Sequence, residues 1–128
     1  MAIGNVQLVL NIYNAFKRRD VAYVFAQFDP NIELYQSSLV PWGDTYRGVE
    51  NARQFFTRLT AAVTSAVTIE RTIEADDVVV AIGRTSGTAN ATGKPFDVPI
   101  AHVWTIRGGK IISVRFYINL PDMLPALE

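Results

Sequence analysis

The sequence predicts an α+β domain in which three N-terminal helices pack on a strongly curved, mostly antiparallel sheet. Two observations carry that expectation. Up to about residue 60 the apolar residues recur at three-to-four spacing, interrupted by one short strand pattern, and from Val67 to Asn119 the period changes to two. A third observation sets the organisation: 128 residues without repeat, low-complexity tract or linker make one domain, residues 1–128.

The first helical stretch covers residues 5–28. Val6, Val9, Leu10, Tyr13 and Phe16 form its stripe, with Asn5 as N-cap. The run Lys17-Arg18-Arg19 breaks the pattern and reads as a solvated helix end. Asp20 then opens a short second helix carrying Val21, Val24, Phe25 and Phe28, and Asp29-Pro30-Asn31 stops it. Ile32 to Gln36 reads as a short strand, Ser37 to Gly48 as a loop, and Val49 to Thr60 as a third helix with Ala52, Phe55, Phe56 and Leu59 inward. Beyond it, Val67, Ile69 and Ile73 alternate with polar residues, Asp76-Asp77 turns the chain, and Val78 to Ile82 is apolar on both faces. Pro95 to Ile106 and Lys110 to Asn119 give two more strands joined by Gly108-Gly109, a tight hairpin signal, and Pro121 and Pro125 are expected to end regular structure.

Composition removes several function classes. Lys and Arg number 12 and so do Asp and Glu, which leaves no polycation to neutralise nucleic-acid phosphates. With 49% apolar and 19% charged residues the chain is too greasy for disorder. It has no apolar run near the ~18 residues of a membrane span. Nor does MAIGN begin a signal peptide, so a cytoplasmic protein is expected. There is no cysteine and a single histidine, which exclude disulfides, thiol nucleophiles and a histidine pair for zinc. Gly83, Gly87 and Gly93 miss the dinucleotide spacing, no Gly-Lys-Ser/Thr phosphate loop occurs, and Ser37-Ser38 lacks a nucleophile's context. No cofactor and no metal is expected.

Several short stretches together resemble one superfamily. They are Tyr13-Asn14-Ala15-Phe16 ahead of Asp20, Phe28-Asp29-Pro30-Asn31, Tyr46-Arg47-Gly48 before Phe55-Phe56, Thr92-Gly93-Lys94-Pro95-Phe96, and Ala101-His102-Val103-Trp104-Thr105-Ile106 with Gly109-Lys110-Ile111. This order is similar to the SnoaL-like and ketosteroid-isomerase-like proteins of the nuclear-transport-factor-two-like superfamily, over essentially the whole chain. The resemblance implies a cystatin-like conical barrel: a bent sheet around a cavity that the helices close, with a convex face that pairs with a second subunit. The superfamily hosts isomerases, cyclases, hydrolases, dehydratases and binding proteins, so fold does not license a reaction.

Set against the isomerases of that resemblance, the helical Tyr position falls on Ile12, the carboxylate base on Gln36 and the protonated carboxyl on Ala101. All three are non-ionisable, and Tyr13 would serve only with the helix register moved by one. The acid/base Asp of the cyclase and epoxide-hydrolase relatives falls on Phe116. The acid/base mechanisms therefore do not transfer. If Ala101 lines the pocket, His102 faces away toward a subunit interface, and its two readings are a structural imidazole and a base. Arg84 shares a face with Val80 and Ile82, and Arg71 with Val67 and Ile69; each is either an inward guanidinium anchoring a ligand oxygen or a strand-end charge. Trp42, Asp44 and Tyr46 read either as loop packing or as a lid with an aromatic wall and one carboxylate.

The expectation is thus a cavity that binds a hydrophobic, cyclic or carbonyl-bearing small molecule. Ile12, Gln36, Trp42, Tyr46, Arg84, Ala101, Val103, Phe116 and Ile118 line it, and Asp44 and His102 are the weak candidates for a base. An isomerase, cyclase or dehydratase acting beside a carbonyl is the enzymatic form of this reading. A homodimer through the convex sheet face is expected as well, and the alternative is a non-catalytic dimerisation or peptide-interaction module.

Overall fold

A computed structural model describes residues 3–128. The chain runs α1 (Asn5–Lys17), α2 (Val21–Ala26), β1 (Phe28–Gln36), β2 (Asp44–Arg47), α3 (Val49–Ala62), β3 (Val63–Ala75), β4 (Val78–Ala89), β5 (Pro95–Arg107), β6 (Lys110–Ile118) and α4 (Leu120–Leu127). One six-stranded sheet has the order β2-β1-β6-β5-β4-β3. Every pairing is antiparallel except β1 with β6, which is parallel because α2 delivers the chain to the strand's start on the same side as the β5–β6 turn. The sheet curves around the helices but does not close: β2 and β3 are its two free edges, so the architecture is an open cone rather than a barrel.

The elements follow from local chemistry. Asp20 caps α2 by accepting the N–H of Tyr23 at 3.1 Å. Gly108 and Gly109 both take positive φ, 58° and 75°, so that Arg107 and Lys110 pair across a two-residue hairpin. Three expectations are corrected. Asp29-Pro30-Asn31 does not interrupt the chain between helix and strand; β1 already starts at Phe28, and Pro30 lies in an irregular stretch of the β1–β6 ladder where no donor is needed. The loop after Gln36 contains β2, a four-residue edge strand too short to show a period. Pro121 and Pro125 do not end regular structure: Asn119 accepts the N–H of Asp122 at 3.2 Å and caps α4, whose first turn tolerates Pro121 because that N–H has no helical partner.

The core lies between the concave sheet face, α1 and α3. Val9, Ile12, Phe55, Ile32, Leu34, Trp104, Ile106, Ile111 and Val114 are among its fully enclosed members, and α4 adds Met123. In β5, Phe96, Val98, Ile100, His102, Trp104 and Ile106 all point inward. Small residues of β4 oppose the large ones: Ala81 pairs with His102 and Gly83 with Ile100. That complementarity decides the facing of β4, which the two-sided apolar run Val78–Ile82 left open. Val79 and Ala81 are inside, while Val80, Ile82 and Arg84 are outside.

Candidate functional site

One row of side chains crosses the concave face at its centre. The register aligns Gln36 of β1 with Phe116 of β6, and Phe116 with His102 of β5. The side chains of α1 and α3 close over this row. Phe55 stacks on Phe116 at 5.4 Å with an interplanar angle of 16°, and the rings of His102 and Trp104 meet Phe116 edge-on at 4.6 and 5.9 Å. The framework residues Ile12, Leu34, Trp104 and Val114 are completely enclosed, whereas Phe116, His102, Tyr13 and Gln36 each keep 5–7% of their surface accessible.

Tyr13 is the hub on the helix side. Its hydroxyl lies 2.6 Å from Nδ1 of His102 and accepts the indole N–H of Trp104 at 2.9 Å. An indole nitrogen only donates, and the hydroxyl has no other acceptor among the described residues, so the Tyr13 O–H is donated to Nδ1. His102 is thereby fixed as the tautomer protonated on Nε2. Burial lowers its pKa from the usual 6.5 to about 3, so the imidazole is neutral at pH 7. Burial also pushes the Tyr13 phenol well above its ordinary range, an effect the Trp104 hydrogen bond partly offsets. Neither group of the pair is a base: the acceptor nitrogen is occupied and the phenol stays protonated.

A second relay runs from the other tryptophan. Trp42 sits in the 37–43 loop, only 2% exposed, and donates its indole N–H to Oε1 of Gln36 at 2.8 Å. The loop is held inward because Gly43 packs against the Ser37 carbonyl, where a Cβ would overlap that oxygen. Tyr46, in β2, donates its hydroxyl to the Trp42 carbonyl at 2.7 Å and accepts from Arg58 of α3 at 3.0 Å, while its ring meets Phe55 edge-on at 5.5 Å. Since the indole must donate, the amide oxygen of Gln36 faces Trp42 and its NH2 faces away.

The residues expected from the sequence divide between two faces. Ile12, Gln36, Trp42, Tyr46, His102 and Phe116 are all buried on the concave side, and Ile118 packs on its margin. Four expectations about facing are corrected. Ala101 and Val103 point to the outer face, and His102 points in, because Ile100, Trp104 and Ile106 are the bulky side of β5 and His102 shares their parity. Arg84 is also outside, exposed, with its Nε 2.7 Å from Asp97. Arg71 is exposed because the β3–β4 register shifts between Ile69 and Arg71, which reverses the parity carried from Val67. Asp44 is brought to β2 opposite Gln36, but its carboxylate is exposed and accepts the N–H of Thr45 at 2.8 Å, apart from the interior row.

Tyr13 and Trp104 are the members the sequence reading did not rank. The signal for Tyr13 was a helix register one residue beyond the Ile12 alignment, and the same one-residue displacement separates Ala101 from His102. Among the described residues no group of His, Asp or Glu is arranged to hold a metal ion, and no helix is long and apolar enough to cross a membrane.

Known proteins supply the wider frame. The chain superposes on an NTF2-like protein from Burkholderia thailandensis with a TM-score of 0.88 and 31% identity, covering 95% of each chain. An NTF2-like protein of unknown function from Burkholderia pseudomallei gives 0.89 at 23% identity over 96% of each. TerC, co-crystallised with polyporic acid, gives 0.87 at 20% identity over 96% of this chain and 97% of that one. No curated protein matches the sequence. Residues 9–114, from the first turns of α1 to the middle of β6, match the family model of the SnoaL-like domain, and the chain belongs to that family.

Proposed function

We propose that this protein binds a hydrophobic, cyclic, carbonyl-bearing small molecule on its concave face, against Phe116 and between Gln36 and His102. The observation that carries the reading is the placement of two buried polar side chains on either side of an aromatic ring. Gln36 and His102 are the buried polar side chains of the core among the described residues, and they stand on the two strands that flank Phe116. A few fixed polar groups in an apolar, aromatic surround are the usual composition of a small-molecule site. That TerC was co-crystallised with polyporic acid is in keeping with this use of the fold.

The same geometry favours binding over the proton transfer of an isomerase or cyclase. Such chemistry needs a carboxylate or imidazole with a free lone pair near the ligand, and the imidazole here has its lone pair on Tyr13. The test is a calorimetric and thermal-shift screen of steroid enones, polyketide esters and epoxides, read for binding and for turnover. Saturable binding without turnover is the expected result. Turnover of any of these compounds would contradict it, and its loss or persistence in the Gln36→Ala, His102→Gln, Asp44→Asn triple variant would show whether these groups carry it.

A second proposal concerns assembly. Ile73 and Tyr117 are 46% and 43% exposed on the outer face, with the half-buried Val80, Ile82, Ala101 and Val103 between them. A solvated antiparallel face would be polar there, and this one supports a homodimer through the convex sheet. Sedimentation at micromolar concentration should give twice the chain mass; a persistent monomer would overturn it. The alternative module, docking a peptide on this face, would show as a monomer.

A further inference from the structure

The cleft between α2 and α3 is a cavity of about 310 Å³, lined by Val21, Phe25, Arg53, Phe56, Thr57 and Thr60, with no member of the central row in its wall. Its floor is aromatic. Phe25 and Phe56 meet edge-on at 5.7 Å, and Phe56 continues the cluster into Phe16 at 5.3 Å and Phe55 at 5.0 Å. Val21 stands 50% exposed at the rim, so apolar surface reaches from the floor to solvent. A cavity of this size is at the small end of ligand sites, and its apolar floor suits a flat ring.

The polar groups of the cleft are unequal. Thr57 gives its hydroxyl proton to the Arg53 carbonyl at 3.1 Å, and Thr60 gives its own to the Phe56 carbonyl at 2.9 Å. Both protons are committed within α3, so the threonines offer a ligand no donor. Arg53 is the opposite case. Its guanidinium lies 4.3 Å from the centre of the Phe25 ring, where cation–π attraction holds it over the floor. Its partner carboxylate among the described residues is Glu50, one turn earlier in α3, at 3.4 Å from Nε and 88% exposed. An ion pair of that length and exposure holds the cation weakly, and the guanidinium keeps its fork of N–H donors for another acceptor. Asp20, the residue before Val21, does not compete for it: its carboxylate accepts the Tyr23 N–H at 3.1 Å and faces Arg18 at 3.4 Å.

A cation with a planar set of donors, fixed over an aromatic floor, is complemented by a flat apolar body that ends in two coplanar acceptor oxygens. We propose that the α2–α3 cleft is a second binding site, apart from the central row, for an aromatic carboxylate. The ring lies on Phe25 and Phe56, and the carboxylate takes the guanidinium N–H groups of Arg53 in a two-point pair. A neutral ring keeps the floor and loses the pair, and a cationic ring meets Arg53 with like charge.

The test is a titration of the full-length protein, labelled with 15N and with 13C at its methyl groups, at pH 7. The probes are 2-naphthoate, 2-naphthamide and 2-naphthylmethylammonium, which share a ring system and differ in charge. The expected order of affinity is carboxylate, amide, ammonium, with about tenfold between the first two. The carboxylate should shift the methyl signals of Val21, Thr57 and Thr60 and leave the indole signals of Trp42 and Trp104 in place. Its advantage should shrink in about 0.5 M salt. Arg53→Met keeps an unbranched apolar stem and should bring the carboxylate down to the affinity of the amide, whereas Arg53→Lys should keep part of the preference. The thermal transition of each variant checks its folding. Equal affinity for carboxylate and amide, or a preference that survives Arg53→Met, would overturn the proposal. So would indole shifts with unmoved cleft methyl signals, which would seat the ring in the central row. Failure of 2-naphthoate to bind at millimolar concentration would overturn the cleft site and leave the central-row reading as it stands.

Discussion

Replacing Tyr13 with Phe removes one oxygen and breaks two hydrogen bonds at once. The ring is retained, so its edge-on packing with Trp104 at 5.6 Å and its stacking with His102 at 5.9 Å are preserved, and the change isolates the hydroxyl. Trp104 is completely enclosed, and its indole N–H loses the one acceptor it has among the described residues; Nδ1 of His102 loses its donor. A buried polar group left without a partner costs about 1–3 kcal/mol, and the imidazole lone pair less than a donor. The sum is about 2–4 kcal/mol. For 128 residues the unfolding entropy near the midpoint is about 0.27 kcal/mol/K, so the transition should fall by about 7–15 °C. Urea denaturation followed by far-UV circular dichroism measures this directly. The control is Tyr117→Phe, whose hydroxyl accepts from Arg115 at 2.6 Å on the exposed outer face and should cost less than about 0.5 kcal/mol. If Tyr13→Phe were as mild as the control, the hub would not exist as described and the tautomer argument would fall with it.

Other expectations follow from single features. Because the folded-state pKa of His102, about 3, lies below the unfolded value of about 6.5, the unfolded chain binds the extra proton and stability falls as pH drops through that interval. Between pH 6.5 and 5 the loss should be about 2 kcal/mol, and His102→Gln, which keeps an acceptor for Tyr13 but does not titrate, should flatten that slope in urea titrations. Gly43→Ala should displace the 37–43 loop, since the added Cβ overlaps the Ser37 carbonyl oxygen, and the Trp42 indole signal should shift or broaden. Arg84→Ala should change stability by less than about 0.5 kcal/mol and ligand affinity not at all, because its pair with Asp97 is exposed and on the outer face. A drop in affinity on that substitution would contradict the assigned facing.

The sequence made the fold readable where period and punctuation agreed. The Asp20 cap and the Gly108-Gly109 turn each had one physical solution, and the structure adopts it. Of the expected α1 stripe Val9 and Tyr13 are buried, and Val6, Leu10 and Phe16 are half-buried. Leu8, Ile12 and Ala15 complete the inner face, and the helix is entered from Gly4 rather than capped by Asn5. It was least readable where both faces of a strand are apolar. Val78 to Ile82 carries no parity signal, so the inward side was settled by what stands opposite, Trp104 and His102 against Val79 and Ala81. The bulge near Glu70 hid the facing of Arg71 in the same way, since one extra residue reverses every position after it.

The site was half legible for a related reason. Gln36, Trp42, Tyr46 and Phe116, singled out through the resemblance, are buried on the concave side, whereas the hydrogen-bonded pair Tyr13 and His102 each lay one residue beyond the positions aligned to Ile12 and Ala101. No sequence pattern states that an indole N–H will meet a phenol 91 residues away. That contact exists only once α1 is laid across β5, and it is what converts the lone histidine from a prospective base into a hydrogen-bond donor.

The most direct test of the proposal that a ligand binds at the central row is a crystal structure of the protein with 1-tetralone. The expected result places the ring against Phe116 with its carbonyl oxygen within hydrogen-bond distance of Nε2 of His102 or of the Gln36 amide. A ligand seated instead in the external cleft between α2 and α3, lined by Val21, Phe25 and Phe56, with the central row unchanged, would contradict it.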